Sequence, residues 1–432
     1  MCNMVDLEQI YEEVDNLDTD TILKVLNDLI SVKTVIPPAD NYREYVDMIT
    51  PYFEKFEFKN EEVIQPEELI EEIPYPLNGP RINLVSKKDF NKEKWVTFYG
   101  HMDVVPAPTE EEREWRFDPF KATMIKSGKI YGRGVADMKG SMACVILALQ
   151  VMEKLTLTPK YNINVVNCTD EEIGIYPGVR YLTEEGYVKG IIYCMEGVID
   201  PIIVVGCTGA LNVDVETVGR SCHSGMNFMG VNALEEMVPI LVELMHLKKV
   251  VEERESDDIP GLPRFGSGED RNMTPMFNLD VIRAGEKPNI VPGTCTLTIN
   301  RRLIPEEKIE NVKQEILDAI NAGKERSKAL DVKITFKYDY PAVRMDPNAP
   351  GVKRMKKVIK MVQNIPEDKM RMIGMGGSTD MGFVSEILGT NDIIFRGVGN
   401  VGSNAHGVNE TIKLKDIRTF IKELIIFLCA DL

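Results

Sequence analysis

The sequence is short of histidine and of positive charge. Only 4 of its 432 residues are His, and 51 Lys and Arg stand against 68 Asp and Glu, a formal net charge of -17. So acidic a chain is set apart from proteins that grip nucleic-acid phosphates or anionic membrane surfaces, because those rely on Lys and Arg. Its charge reads instead as a solvated, self-repelling surface. Long apolar runs are missing too: no stretch of about 18 apolar residues occurs, so no membrane span is expected. Residues 1–10 lack the basic start and apolar stretch of a secretory signal. The 8 cysteines (Cys2, Cys144, Cys168, Cys194, Cys207, Cys222, Cys295, Cys429) include no Cys-x-x-Cys pair. That argues against a thiolate zinc site or a disulfide frame and favours reduced thiols in the cytoplasm.

What remains is an ordinary globular composition, 44% hydrophobic and 28% charged, long enough for two or three domains at roughly 150 residues each. Ile22, Val25, Leu26, Leu29 and Ile30 share one helical face behind the caps Asp18 and Asp20, and Pro37 and Pro38 bar continuation. Apolar runs at 82–85, 95–99, 163–166 and 191–194 read as strands, with an apolar helix at 141–155 among them. This alternation predicts an α/β domain with a mixed or parallel sheet covered on both faces. From about Gly209 the order becomes strand 211–218, helix 233–251, strands 276–282 and 295–302, helix 306–322 and strand 332–338. That is β-α-β-β-α-β, a ferredoxin-like α+β unit able to close on itself. Three parts follow: 1–208, the insertion 209–341, and 342–432. The polar, Gly- and Pro-bearing stretch 252–271 reads as a mobile loop.

Three clusters follow strand candidates directly: Gly-His101-Met-Asp103, Thr-Asp170-Glu171-Glu172 and Met-Glu196-Gly. Ligands collect at the carboxyl ends of strands in open α/β sheets. A fourth cluster, Gly-Arg-Gly-Val-Ala-Asp137-Met-Lys-Gly, opens the apolar helix, and a fifth, Asn404-Ala-His406-Gly, lies in a Gly-rich loop. Imidazole with carboxylate suits zinc or a similar ion, and surplus carboxylates allow two ions with one bridge. His101, Asp137, Glu172, Glu196 and His406 suffice as ligands. Asp103, two residues from His101 on an extended segment, can take the other imidazole N–H. Glu171 would point away from Glu172 in an extended chain and suits a general base. Singly, each cluster has an ordinary structural reading; together they hold two of the four histidines, His223 lies in another Gly-flanked motif, and His246 reads as structural.

Gly-His101-Met-Asp103-Val-Val-Pro, Trp115-x-x-Asp-Pro-Phe, Tyr-Gly-Arg-Gly-Val-Ala-Asp137-Met-Lys-Gly, Thr-Asp-Glu171-Glu172-x-Gly, Cys-His223-Ser-Gly, Asn289-Ile-Val-Pro, Gly376-Gly-Ser-Thr-Asp380 and Asn404-Ala-His406-x-x-Asn-Glu occur in this order. Over residues 20–430 the chain resembles the acetylornithine deacetylase, succinyl-diaminopimelate desuccinylase, aminoacylase and glutamate carboxypeptidase family of dinuclear metallohydrolases. The resemblance implies His101 and Glu196 on one ion, Glu172 and His406 on the other, Asp137 bridging and Glu171 as general base. It implies a catalytic domain interrupted by a lid at 209–341, and His223 stabilising the oxyanion from a neighbouring subunit. Asn289, Arg302, Gly376, Gly377, Ser378 and Thr379 match substrate-carboxylate contacts.

Glu196 rather than Asp, and Asp137-Met-Lys-Gly rather than Asp-Asp-Lys-Gly, resemble the deacetylase and desuccinylase branch. The expected activity is metal-dependent cleavage of N-acyl amino acids by a metal-activated water. Zinc is expected, with cobalt or manganese as alternatives. A dipeptidase or carboxypeptidase on the same scaffold, or a catalytically silent binding protein, are the competing readings. Thr208 stands where relatives often carry a basic residue. The expected assembly is a homodimer joined through the 211–218 edge or the 233–251 helix, with no nucleic-acid or membrane partner.

Overall fold

The computed structural model describes residues 6–71, 73, 76–107, 114–261 and 271–432. They form two compact units: Met1–Val204 with Met345–Met372 and Phe383–Leu432, and Val205–Arg344 with Ile373–Gly382. The second unit thus includes a stretch, 373–382, that a division at 342 leaves outside the insertion.

In the first unit a six-stranded sheet runs in the order Lys59–Ile64, Ile82–Lys88, Asn162–Cys168, Trp95–His101, Ile191–Cys194 and Ile393–Phe395. Trp95–His101 is parallel to both of its neighbours, and Ile393–Phe395 is parallel to Ile191–Cys194. Ile82–Lys88 runs antiparallel to Asn162–Cys168, so the sheet is mixed. Every residue of Asn162–Cys168 is buried, as a strand covered on both faces requires. One cover is Lys139–Lys154, apolar nearly all round and buried along most of its length. Leu414–Cys429 packs against it and against Pro350–Gln363. A helix over Leu7–Asp15 opens the chain, and the amphipathic helix expected next is Thr19–Ser31, capped by Asp18, whose carboxylate accepts from Thr21 N at 3.1 Å. A small second sheet, Thr411–Lys413 beside Lys129–Tyr131 beside Thr123–Met124, zips the segment before Asp137 to the segment after His406.

The second unit has the strand order Met276–Ala284, Thr294–Leu303, Gly209–Val218, Asp331–Tyr340, all antiparallel. In chain order that is 2-3-1-4, the ferredoxin-like arrangement. Ala233–Glu252 and Ile309–Lys324 lie together, with Met237, Ile240, Ile316 and Ile320 closing a core over Leu211, Val213, Leu297 and Ile299. Gly209–Val218 is therefore an inner strand, paired on both sides, and offers no edge for self-association; the edges are Met276–Ala284 and Asp331–Tyr340. The second helix starts at Ile309 rather than 306, because Glu307 is engaged in turning the chain. Its carboxylate accepts from Ile304 N at 3.2 Å and from Arg254 and Arg301 at 2.9 and 2.5 Å.

Within the stretch 252–271, residues 262–270 lie outside the described residues; Pro260 pairs with Asn272 at its base. Cys2 also lies outside them, and the other seven cysteines form no disulfide among the described residues, Cys222 alone being partly exposed. No helix of the described residues is long and apolar enough to cross a membrane.

Candidate metal centre

The parallel strands share a direction, so their carboxyl ends meet one edge of the sheet. His101 ends its strand opposite Cys168, and Tyr99 pairs with Cys194. The segments that continue from these ends carry Asp103, Glu171 with Glu172, and Glu196.

The His101 side chain is fully buried. Its Nδ1 lies 3.1 Å from the Asp103 carbonyl and 3.7 Å from the Asp103 carboxylate. The imidazole is thus held mainly by the main chain of Asp103, while the Asp103 carboxylate accepts from Glu172 N at 2.9 Å. One residue orients both neighbours. Asp170, with a left-handed φ of 64°, tips the chain into the 3₁₀ turn Glu171–Ile173. The two glutamates therefore do not diverge as in an extended chain: both bring a carboxylate oxygen within 4.8 Å of a His101 ring nitrogen. Glu171 and Glu196 also offer oxygens within 4.8 Å of each other.

Asp137 faces two histidines at once. One carboxylate oxygen lies 3.1 Å from His101 Nε2, and the other lies 3.1 Å from His406 Nε2, which is itself 3.1 Å from Glu172. His406 sits at φ 64° in a turn closed by Asn404, whose amide donates to the Val408 carbonyl at 2.7 Å.

Burial opposes the charge on Asp137, yet hydrogen bonds from His101 and His406 hold its carboxyl below the usual range. Glu172 is raised, chiefly by burial. His406 is pushed up to about 10 by the Asp137 and Glu172 carboxylates. Burial works against a charged His101, but Asp103 and Asp137 keep it raised. The pocket calls for positive charge between its carboxylates and imidazoles. Glu172 Oε1 is buried without a hydrogen-bond partner, a costly arrangement that a cation relieves. Nitrogen and oxygen donors of this kind fit zinc, cobalt or manganese.

The remaining candidates belong to the second unit. Arg302 Nη1 donates to Ser378 Oγ at 2.7 Å, and buried Thr208 donates to the Gly376 carbonyl at 2.8 Å. Arg302, Gly376, Gly377 and Ser378 are thereby brought together, with Thr379 buried beside them. His223 is exposed, its Nδ1 accepting from Gly225 N at 3.1 Å, and Ser224 N donates to the Asn289 carbonyl at 3.0 Å. Asn289 joins His223, not Arg302. Thr294 pairs with Val218 whereas Arg302 pairs with Ala210, so these groups follow from opposite ends of one strand pair, whose two ends are roughly 27 Å apart at about 3.4 Å per residue. His246 stands exposed on Ala233–Glu252, 3.5 Å from Glu243.

The profile of Peptidase family M20/M25/M40 matches residues 97–428. The chain belongs to this family. It is an M20 metallohydrolase acting on amide or peptide bonds. It is similar to an uncharacterized metallohydrolase of Methanocaldococcus jannaschii, 28% identical over 91% of this chain and 95% of that one. It is also similar to a probable succinyl-diaminopimelate desuccinylase of Staphylococcus epidermidis, 25% identical over 90% and 95%. Among solved structures, an M20 family metallo-carboxypeptidase from Sulfolobus solfataricus shares the fold, with a TM-score of 0.74 and 22% identity over 95% and 98%.

Beneath the M20 site lie buried charge pairs that sequence reasoning missed. Asp170 accepts from Tyr42 at 2.9 Å and Arg81 at 3.4 Å; Glu410 accepts from Arg133 at 3.0 Å; Glu423 accepts from Arg396 at 2.7 Å. Arg396 also donates to the carbonyls of Val198 and Ile199, at 2.8 and 2.7 Å, just past Glu196. The partners stand 89, 277 and 27 residues apart, and no local period links them. The available signal was weak: a glutamate within the apolar stretch that becomes Leu414–Cys429, and arginines flanking apolar strands.

Proposed function

We propose that this M20 hydrolase removes the acyl group from N-acyl amino acids, using two divalent ions, zinc first, with cobalt or manganese as alternatives. The two-ion part rests on the Asp137 carboxylate, each oxygen 3.1 Å from a different imidazole, and the acyl preference on the likeness to the probable succinyl-diaminopimelate desuccinylase of Staphylococcus epidermidis. His101 and Glu196 would hold one ion, and Glu172 and His406 the other. When bound, the ions polarise the acyl carbonyl and make water more acidic.

Glu171 accepts a proton from the water as its oxygen bonds to the carbonyl carbon. The same proton then passes to the leaving nitrogen as the C–N bond breaks, which leaves a carboxylic acid and a free amine. Asp103 keeps His101 in one tautomer through its carbonyl and steadies Glu172 through its carboxylate. Arg302, Ser378 and the 376–379 loop bind the substrate's carboxylate, and His223 donates to the carbonyl oxygen as it gains charge. Arg302 and the turn of His223 follow from strand ends roughly 27 Å apart, a span longer than an N-acyl amino acid, so in this reading one chain does not offer both to a single substrate. A homodimer, with His223 and Asn289 serving the neighbouring copy, resolves this. Leu234, Val238, Val242 and Met245 form an exposed apolar stripe on Ala233–Glu252, the face we assign to that contact. In this reading residues 1–208 and 342–432 are the catalytic domain and 209–341 the lid. The setting is cytoplasmic, in keeping with cysteines that form no disulfide among the described residues.

The decisive experiment loads metal-free protein with zinc, cobalt or manganese. Amine release from N-acetyl and N-succinyl amino acids is then compared with release from dipeptides. A kcat/KM at least about tenfold higher for an acyl amino acid, about 1.4 kcal/mol of transition-state preference, supports the proposal. The reverse preference selects the dipeptidase or carboxypeptidase reading, which the Sulfolobus relative favours. Fewer than two ions per chain after full loading rejects the dinuclear centre.

A further inference from the structure

We propose that Glu410, acting with Arg133, is the positioning residue for the ion site formed by Asp137, Glu172 and His406, an inference that rests on the dinuclear reading above. Glu410 is fully buried, and the segment around Asp137 is wrapped about its carboxylate. One oxygen accepts from Arg133 Nη1 at 3.0 Å and from Gly134 N at 2.9 Å; the other accepts from Ala136 N at 2.7 Å and from Asp137 N at 3.2 Å. Three main-chain N–H groups, the last belonging to the bridging residue itself, converge on one side chain.

Arg133 extends this grip to the other ligand. Its Nη2 donates to the His406 carbonyl at 3.3 Å and to the Pro106 carbonyl at 3.4 Å, and its guanidinium lies 5.3 Å from the centre of the Trp115 ring. A single buried ion pair thus holds the main chain of Asp137 on one side and of His406 on the other. Both segments pass through left-handed backbone, which Gly adopts freely and Asn and His more readily than most residues. Gly134 has a φ of +83°, and a Cβ there would come within 2.9 Å of Val104. Asn404, His406 and Asn409 all have left-handed φ values, of 53°, 64° and 60°. The path of each segment is therefore set by the bonds around it: Glu410 supplies those on Gly134, Ala136 and Asp137, and Arg133 supplies one on His406, so the pair sets the spacing between the Asp137 carboxylate and the His406 ring.

Breaking a merely structural ion pair would lower stability and leave metal affinity alone. Arg301–Glu307 in the second unit, 2.5 Å apart and buried, is that comparison. Zinc binding is measured by equilibrium dialysis against buffered free zinc, with cobalt absorption as a second readout and thermal unfolding alongside. Glu410→Gln keeps the volume but turns an NH2 group toward donors. It should weaken the ion held by Glu172 and His406 about 10- to 100-fold, the scale for losing a group that orients a ligand, and weaken the other, which shares only Asp137 with it, by less. Turnover should return as the metal concentration is raised. Glu307→Gln should unfold at lower temperature yet bind both ions as wild type does. Two ions at wild-type affinity in folded Glu410→Gln would overturn the proposal. If that variant does not fold, Arg133→Lys is measured in the same way: it keeps the charge but loses the fork to the His406 carbonyl, and wild-type affinity there overturns the proposal equally. A wild-type protein that takes up fewer than two ions rejects the dinuclear reading itself, a result separate from any effect of Glu410.

Discussion

The two units handle their functional side chains in opposite ways. In the first, His101, Asp137, Glu171 and Glu172 stand at the ends of buried strands or on turns fixed by buried charge pairs such as Arg81–Asp170 and Arg133–Glu410. In the second, His223 lies on a turn whose main chain pairs with Ile290, but its ring is exposed and takes one hydrogen bond, from Gly225 N. Fixed donors suit chemistry in which charge must be met without rearrangement. An exposed, loosely tied histidine suits a group whose place is completed by another surface. The contrast teaches that the residues proposed as metal ligands are fixed by the fold of one unit, whereas in the dimer proposed above the substrate-handling groups would come from the lids of two copies.

Four substitutions test that contrast, beginning with the largest effect. Glu171→Gln should lower kcat by about 10² to 10⁴, the worth of a positioned general base, with both ions retained in elemental analysis. Turnover near wild type would remove Glu171 from its role and leave the rigid unit without its base. His223→Ala should lower kcat by about 10² with unchanged metal content, the scale of a lost oxyanion donor. Mixing inactive Glu171→Gln with inactive His223→Ala should restore activity, because one site of the heterodimer then has an intact Glu171 and a partner-supplied His223. If none returns after verified subunit exchange, the idea that the lid is completed by a second copy fails. Arg302→Ala should raise KM about 10- to 100-fold with little change in kcat, as expected for losing a charged hydrogen bond that substrate and transition state share. A fall in kcat alone would move Arg302 from binding into the chemistry. His246→Ala, on the exposed helix, should alter neither turnover nor metal content and shift stability by no more than about 0.5 kcal/mol. A lost ion there would mean that the fourth histidine had been misread.

Much of the first unit was legible because strand and motif adjoin. The apolar run 95–99 ends at His101, and 191–194 runs straight into Glu196, so strand ends point to the site without any long-range information. The ferredoxin-like order was legible from the alternation of periods alone. Strand order was not: Gly209–Val218 looks like any amphipathic strand, and its inner position depends on which strands flank it. The roles within the acidic pair were only half legible, because the left-handed Asp170 replaces an extended chain with a turn. Arg133 and Glu410 could each be read as letters of a motif, but a bond across 277 residues leaves no periodic trace.

One asymmetry within the centre has a kinetic meaning. The His101 side chain is wholly shielded from solvent, whereas that of His406 is 54% exposed. Ions bound at the two positions should differ in residence time, the His406 ion exchanging first and the His101 ion last. Brief dialysis against a chelator would then yield a half-loaded species, and isotopically distinct zinc added back would label the outer position alone.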